Sequence, residues 1–482
     1  MLARHSITYL VARGVPAVVN FATIVIFSRL LTPTEYGHYA VGIAWMLLLS
    51  SLLFDWLRLS TLRLLPNAPA DESEFLAAVG AIFAFLTLLL GVGCLLVLQL
   101  APLVDARYLL VVPVLSILHA YHELSAELAR ARLRPMIYGA IAAARSAGAL
   151  AVGTLLITAG LGGIGALAGL AVALAVVGIT IARHQWRGYY PSAPSRALVR
   201  RIVSYGLPLS ASLGLHYVMS MSDRLIIERL LGPAAAGQYA VAYDLPRQSL
   251  GTLMLIVTLA GLPLAVRQMD SDGIVAASWQ LKDNGGLLFA IALPATVGLC
   301  LLAAPIAAVI VGPEFRATSG LLIPWIAVGV FLHGLKAFYV DHVFVLTRRL
   351  RGQLVAAAVG AASNVAGNLI LIPRLGLLGA AYSTLGAYLL ALLVSVVLAR
   401  KQFPLHLPRS LVATGLATLA MATTLLSLPG TPRSVIGLAT HVGIGLVVFC
   451  AAAFVADTFG MRARLVGKVR TAVARGSLRG TE

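Results

Sequence analysis

Fourteen apolar stretches, each 18 to 30 residues long, recur from one end of this 482-residue sequence to the other. They cover residues 11–31, 40–57, 75–100, 108–128, 137–159, 164–182, 202–231, 239–264, 286–311, 321–346, 354–372, 377–398, 411–428 and 435–456. About 20 residues rising ~1.5 Å each cross the ~30 Å hydrocarbon core as one helix. Hydrocarbon offers no partner to a free N–H or C=O, so a spanning segment is a helix or part of a closed barrel. Barrel strands alternate apolar and polar residues at period two, and these runs do not. The sequence therefore predicts an all-α polytopic membrane protein with about fourteen transmembrane helices. At 60% apolar and 11% charged residues, it excludes a soluble enzyme, a disordered scaffold and a secreted disulfide module. The first stretch is too long for a signal-peptide core and lacks a clear cleavage site, so it is expected to be retained.

The formal net charge of +18 has two physical readings. One is a nucleic-acid surface, the other the bias of Lys and Arg toward cytoplasmic loops. Placement separates them. Alternate ends of the spans carry 26 of the 36 Lys and Arg residues, the opposite ends carry seven, and Arg145, Arg247 and Lys336 fall within spans. The surplus is a positive-inside pattern rather than a nucleic-acid partner surface. It puts both termini in the cytoplasm. Cys94, Cys300 and Cys450 lie within apolar stretches and read as small buried hydrophobes, with neither a disulfide framework nor metal-ligand spacing. The basic tail, residues 458–482, interleaves Arg and Lys with Leu465, Val466, Val469 and Val473. It reads either as an amphipathic helix on an anionic leaflet or as a solvated tail.

The chain also repeats itself. Arg29-Leu30-Leu31-Thr32-Pro33 continues through Gly37 to Tyr39-Ala40-Val41, and 200 residues later Arg229-Leu230-Leu231-Gly232-Pro233 continues through Gly237 to Tyr239-Ala240-Val241. Eight of these thirteen positions are identical without a gap. Leu161-Gly162 with Gly165-Ala166 matches Leu375-Gly376 with Gly379-Ala380, and Arg132-Leu133-Arg134 matches Arg349-Leu350-Arg351, in the same order. Pro and Gly stop one helix and turn the chain at the outer interface. Tyr39 and Tyr239 are expected to anchor the next helix at headgroup level, and Arg29 and Arg229 to cap the helix they end. Six spans separate the copies, so the halves share one orientation and are parallel repeats around a central cavity. The expected division is two six-helix halves, residues 1–200 and 201–405, then spans thirteen and fourteen, residues 406–457, and the tail.

The stretch Ser28-Arg29-Leu30-Leu31-Thr32-Pro33-Thr34-Glu35-Tyr36-Gly37-His38-Tyr39 resembles the polysaccharide (O-antigen-type) flippase branch of the multidrug/oligosaccharidyl-lipid/polysaccharide exporter superfamily. So do Ser222-Asp223-Arg224-Leu225-Ile226-Ile227 and the turn Leu375-Gly376-Leu377-Leu378-Gly379-Ala380-Ala381. The 6+6+2 layout fits as well, so the resemblance covers nearly the whole chain. It implies a flippase of the cytoplasmic (inner) membrane that moves a polyprenyl-diphosphate-linked oligosaccharide between leaflets by alternating access, without ATP. It also implies a cationic lumen, lipid contacts and work beside other polysaccharide assembly proteins.

Charges within the spans are the candidate site. A charge at the bilayer centre costs roughly 2.5–3.5 kcal/mol on insertion scales, so it faces the bundle interior, finds a partner or snorkels. Guanidinium binds diphosphate oxygens through a two-pronged fork. Arg145, Lys336, Arg247 and Arg224 are the substrate-binding candidates, each with the alternative of pairing an acid between two helices. Asp223, Asp244 and Asp341 are the candidates for proton or sodium coupling, since burial can raise a carboxylate's pKa toward neutrality, with a plain salt bridge as the alternative for each. Asp244 and Arg247 are spaced to pair, and Asn364 and Asn368 give span eleven a polar stripe. Glu123 and Glu127, with His119 and His122, either line the inner mouth of span four or lie at the interface. Asp55 and Arg58 read as an inner-interface anchor. No resident metal or cofactor is expected.

Three other functions compete. A cation-coupled multidrug exporter shares the layout but normally has twelve helices. A flippase for a lipid-linked peptidoglycan precursor differs in cargo alone. A membrane polysaccharide polymerase needs a large outer loop, and here the outer loops are mostly under about 12 residues. An ATP-driven pump needs Gly-Lys-Ser/Thr, whereas Gly467-Lys468 is followed by Val469.

Overall fold

Proline, glycine and one capping side chain set the helix boundaries. The computed structural model describes residues 2–67, 72–100, 106–408 and 410–456, so the basic tail lies outside the described residues. The first turn joins α1 (Leu2–Leu30) to α2 (Pro33–Leu53). Thr32 Oγ1 accepts from the Glu35 amide at 3.3 Å, and the Glu35 carboxylate accepts from the Thr32 amide at 2.9 Å, a reciprocal cap over Pro33. In the second repeat, Gly232 makes the same turn between α8 (Arg196–Leu231) and α9 (Pro233–Ser271). The shorter repeat match is conformational too. Gly162 and Gly376 adopt φ/ψ of 52°/−139° and 59°/−137°, which a Cβ would strain.

Among the described residues the chain is helical and has no strand. Each of the fourteen expected spans falls on a helix. The first half of the chain continues with α4 (Glu72–Leu100), α5 (Ala106–Ala131), α6 (Pro135–Leu156) and α7 (Gly162–Thr180). The second adds α10 (Gly273–Leu301), α12 (Arg316–Leu335), α14 (Arg351–Leu375) and α15 (Leu377–Arg400). The last two spans are α16 (Leu411–Ser427) and α17 (Val435–Val455). Nine helical segments among the described residues are long and apolar enough to cross a membrane by themselves. Segments α5 and α8 are not among them, and they carry His119, Glu123, Asp223 and Arg224. Their polarity faces the protein interior, where water or partners replace lipid.

Four spans depart from the expected single helices; the fifth runs from α6 into a π-helical turn, Ile157–Leu161. The second breaks at Phe54 into α2 and α3 (Asp55–Leu64), and the ninth breaks at Leu302 into α10 and α11 (Ala303–Ile310). The tenth passes through a π-helical turn, Lys336–Val340, into α13 (His342–Leu346). The cysteines differ from expectation as well. Cys450 is exposed on the outward apolar face of α17, and Cys94 and Cys300 are half-buried.

Helices α1, α2, α5, α6 and α7 pack together, as do α8, α9, α10, α12, α14 and α15. The two groups meet through α2 against α8 and α9, α1 against α9, and α3 against α8. Small residues allow the closest approaches within a group, with Gly153 and Gly169 letting α6 and α7 touch through backbone. Helices α16 and α17 stand beside α10, where Met421, Leu425 and Phe449 pack with Val297 and Leu301.

Candidate functional site

A cavity of about 600 Å³ lies between the two groups of helices. Segments α1, α2, α3, α5, α6 and α7 supply one wall, and α8, α9, α12 and α15 the other. Tyr36, Tyr39, Tyr217, Tyr243, Tyr388 and Phe338 give it aromatic surface. Its charge comes from four arginines, Arg58, Arg145, Arg224 and Arg247, and three carboxylates, Asp55, Glu123 and Asp244.

All three carboxylates are paired. Arg58 Nε lies 3.3 Å from Asp55 and its Nη1 lies 3.2 Å from Glu123 and 3.5 Å from Glu127, so one guanidinium ties α3 to α5. The i, i+3 spacing of Asp55 and Arg58 and the i, i+4 spacing of Glu123 and Glu127 put each pair on one face of its own helix, but did not show that the two faces meet or line a cavity. Asp244 binds Arg224 at 2.6 Å and Arg247 at 3.3 Å. Arg224 is 3% exposed and is held over the Tyr243 ring, whereas the Arg247 side chain is 46% exposed to the cavity. The partner of Arg224 is thus Asp244, twenty residues on, and not its neighbour Asp223.

Arg145 is different. It makes no hydrogen bond or ion pair with any described residue, and its buried Nε has no partner. Two neighbouring cavity residues share this condition. Ser146 is 3% exposed with an unpartnered Oγ, and His119 is 8% exposed with an unpartnered Nδ1. Sequence reasoning singled out Arg145 but not Ser146.

Lys336 stands outside the cavity lining. Its ammonium lies 2.6 Å from Asp341, whose other oxygen accepts from Ser395 Oγ at 2.5 Å. In a regular α-helix, residues five apart do not face each other; the π-helical turn over Lys336–Val340 brings them together. Lys336 and Asp341 therefore form a buried pair locked to α15, rather than a lumen cation and a separate coupling acid.

Asp223 is 1% exposed and has no cationic partner among the described residues. Its carboxylate accepts from Tyr239 Oη at 2.9 Å, Thr384 Oγ1 at 2.7 Å and Asn368 Nδ2 at 2.5 Å. Asn364 joins Ser222 at 3.1 Å and Thr384 at 3.4 Å, and the Asn368 Oδ1 is buried without a partner. The polar stripe of α14 thus meets α8, α9 and α15 in one oxygen-rich knot.

The repeated turns meet each other. A Cβ at Gly37 would clash with the Pro233 carbonyl oxygen, and one at Gly237 with the Pro33 carbonyl oxygen, so the start of each helix lies against the other's backbone. Arg29 Nη2 donates to Val309 O at 2.7 Å, capping α11 and not its own helix. Gly312 N donates to Ser28 Oγ at 3.2 Å beside it. Arg229 is exposed. Neither tyrosine faces outward to lipid: Tyr39 lines the cavity, and Tyr239 is buried against Asp223.

The comparisons agree with this architecture. A family model described as polysaccharide biosynthesis protein matches residues 2–269. A solved lipid II flippase, MurJ, in an inward closed conformation, is similar with a TM-score of 0.77 at 13% identity, over 94% of this chain and 99% of that one. An inward-facing multidrug resistance transporter of the MATE family gives 0.61 at 15% identity, over 82% and 97%. A transporter of the same superfamily from Pyrococcus furiosus gives 0.57 at 15% identity, over 83% and 94%. No curated protein sequence matches the chain.

Proposed function

The chain belongs to the polysaccharide biosynthesis protein family of the multidrug/oligosaccharidyl-lipid/polysaccharide exporter superfamily, and on that premise we propose that it is a flippase for polyprenyl-diphosphate-linked oligosaccharide. The observation carrying this reading is the charge of the cavity. Each of its three carboxylates has an arginine partner, Arg58 for Asp55 and Glu123 and Arg224 with Arg247 for Asp244, whereas Arg145 pairs with no acid among the described residues. An uncompensated cation in a partly dry cavity is costly unless an anion visits it. A diphosphate meets that need, and the tyrosine-rich walls suit sugar rings, whose apolar faces pack on aromatic ones.

Residues 1–200 and 201–405 are then two halves that rock about the cavity, with 406–457 an accessory pair of helices. Neither ATP hydrolysis nor covalent chemistry is needed, so the protein is a transporter and not an enzyme. Sodium or a proton drives it at Asp223. A buried carboxylate lacking a cation, ringed by hydroxyls and an amide with a free oxygen, suits a hard ion that takes oxygen ligands. The multi-pass protein sits in the cytoplasmic (inner) membrane with both termini cytoplasmic. Its partners are the lipid-linked glycan, surrounding lipid and other polysaccharide assembly proteins.

Cells lacking the protein test this reading when lipid-linked glycan is scored by leaflet together with surface polysaccharide. The expected result is loss of polymer with lipid-linked units trapped on the cytoplasmic side. Normal polymer with altered resistance to cationic dyes overturns it in favour of a drug exporter.

A further inference from the structure

We infer that the inner end of α10 and the start of α16 together form a binding site for the phosphate of an anionic phospholipid of the cytoplasmic leaflet. The site lies outside the cavity. It uses the proposed topology but not the proposed cargo, so it stands or falls apart from the flippase reading.

A buried cation is the first observation. Lys282 is 9% exposed, yet its ammonium donates to no oxygen among the described residues. Neighbouring Asp283 is exposed and makes no ion pair with it. The ammonium lies instead over the Trp279 ring, 4.5 Å from its centroid. Trp279 also stacks on the His406 ring, at 4.9 Å and 14°. Tyr339 Oη donates to the His406 carbonyl at 2.6 Å, which fixes the segment leading into α16. A lysine at an interface ordinarily carries its ammonium into water. Here stem and head are both packed, and the charge has no counter-charge.

An open helix start is the second. Gly286 stands one turn beyond Lys282 on the same face of α10. A Cβ at Gly286 would lie 2.9 Å from Ser410 Oγ, so α16 begins against this face. Ser410 is the N-cap of the 17-residue α16, but its side chain accepts no amide there. The amides of Val412 and Ala413 are left without a partner among the described residues. Free amides and the helix dipole favour an anion at such a start. Two separate elements thus offer positive charge to one place.

Depth and exposure select the ligand. Gly286 opens the ninth apolar stretch, and Lys282, four residues earlier, lies ~6 Å to its cytoplasmic side. The headgroup layer is about 5–7 Å thick on each side of the hydrocarbon, so Lys282 is at the level of lipid phosphate. Neither Lys282 nor Ser410 lines the cavity. Trp279, Val412 and Leu416 are exposed, so the site opens to lipid. A phosphodiester gives oxygens to the ammonium and the amides at once, while its acyl chains lie along α16. A zwitterionic lipid brings its own cation to the same place and is held less well. The bound lipid bridges α10 to α16, which makes the seating of α16 and α17 depend on leaflet charge.

The test uses full-length protein lacking Cys94, Cys300 and Cys450, with bimane on Leu416→Cys, one turn beyond Val412 on the exposed side of α16. The protein is held in phosphatidylcholine nanodiscs with a minor share of dibrominated phosphatidylglycerol or dibrominated phosphatidylcholine, whose bromines quench bimane at contact. The expected result is an affinity about tenfold or more higher for the anionic lipid. The preference should persist at physiological salt, which screens exposed charges beyond ~8 Å. Lys282→Gln should remove it and Lys282→Arg should keep it. Arg267→Gln, which removes an exposed charge from the inner end of α9, should keep it as well.

Equal quenching by the two lipids overturns the site. So does an equal loss of preference in Lys282→Gln and Arg267→Gln, the mark of diffuse attraction to a basic surface. Displacement of the brominated lipid by unlabelled polyprenyl phosphate, but not by the same amount of unlabelled phosphatidylglycerol, overturns its assignment to phospholipid. If Lys282→Gln does not fold, Trp279→Leu removes the ring that holds the ammonium and should weaken the preference; an unchanged preference overturns the site.

Discussion

Replacing Gly37 or Gly237 by alanine should part the two repeated turns. A Cβ at Gly37 meets the Pro233 carbonyl carbon at 2.6 Å and the Gly237 nitrogen at 3.2 Å; one at Gly237 meets the Gly37 nitrogen at 2.7 Å. Ordinary contact begins at 3.4 Å and the Pro233 carbonyl oxygen lies nearer still than its carbon, so the helix ends must separate by well over 0.8 Å. The atoms in the way are backbone, so no side chain can turn aside. Overpacking of this kind costs about 1–3 kcal/mol. If the turns are in contact in one transport state and apart in another, the cost falls on the first alone. The ratio of the two then shifts by about 5–150-fold. Both glycines serve one contact, so the double variant should cost less than the sum. Spin labels at Thr34 and Ala234, exposed and half-exposed beside the contact, report the separation in nanodiscs by pulsed dipolar spectroscopy. Each alanine should enlarge the long-distance population, whereas Gly298→Ala, which has no atom within 4 Å of its Cβ position, should leave it unchanged. Identical distributions in wild type and both variants would refute the reasoning, as would equal opening by Gly298→Ala.

Three further outcomes follow from the geometry. Lys336→Met leaves Asp341 buried with only Ser395, and should destabilise the protein by about 3–5 kcal/mol, most of it recovered in Lys336→Met/Asp341→Leu. Thermal unfolding of purified protein measures this, and a double variant no more stable than the single one contradicts it. Sodium, compared with choline, should raise the melting temperature of wild type but not of Asp223→Asn, and an equal rise in both removes the ion from that site. Thr32→Ala removes the hydroxyl that accepts from the Glu35 amide and should cost about 0.5–2 kcal/mol, read by the same melt; no loss means that Pro33 alone fixes the turn.

The fold was legible to the extent that its signals are sums over many residues. Hydropathy over some 20 residues located all fourteen spans, because lipid penalises every exposed polar group alike. Breaks within a span depend on single backbone conformations, and so they were not legible. Nothing in the composition around Phe54 separates a broken helix from a straight one, whereas Pro305, in the first turn of α11, is a break signal beside Leu302. Lys336 shows what such a break does to a site. Read at 3.6 residues per turn, it stands alone facing the lumen; one π-helical turn, Lys336–Val340, carries Asp341 onto its face. Asp244 illustrates a second limit. Its pairing with Arg247 three residues on was visible, but Arg224 arrives from another helix, and sequence spacing carries no information across helices.

The duplicated turn was read correctly as a repeat and incompletely as a device. Alone, Arg-Leu-Leu-x-Pro followed by Gly and Tyr explains how a helix ends and the next begins. That explanation leaves Gly37 and Gly237 without a reason, since each lies a full turn inside its helix, where glycine is unfavourable by roughly 0.5–1 kcal/mol against alanine. The structure supplies the reason in the other copy: each glycine makes room for the other turn's proline carbonyl. A contact between two copies of one motif across a pseudo-twofold axis is self-complementary, so a single residue choice serves both sides. Symmetry stops at the neighbouring positions. Arg29 reaches Val309 while Arg229 stays exposed, and Tyr39 faces the cavity while Tyr239 holds Asp223. The two halves thus differ in what surrounds the contact: the cavity wall with Arg145 in the first, and the oxygen knot with Asp223 in the second.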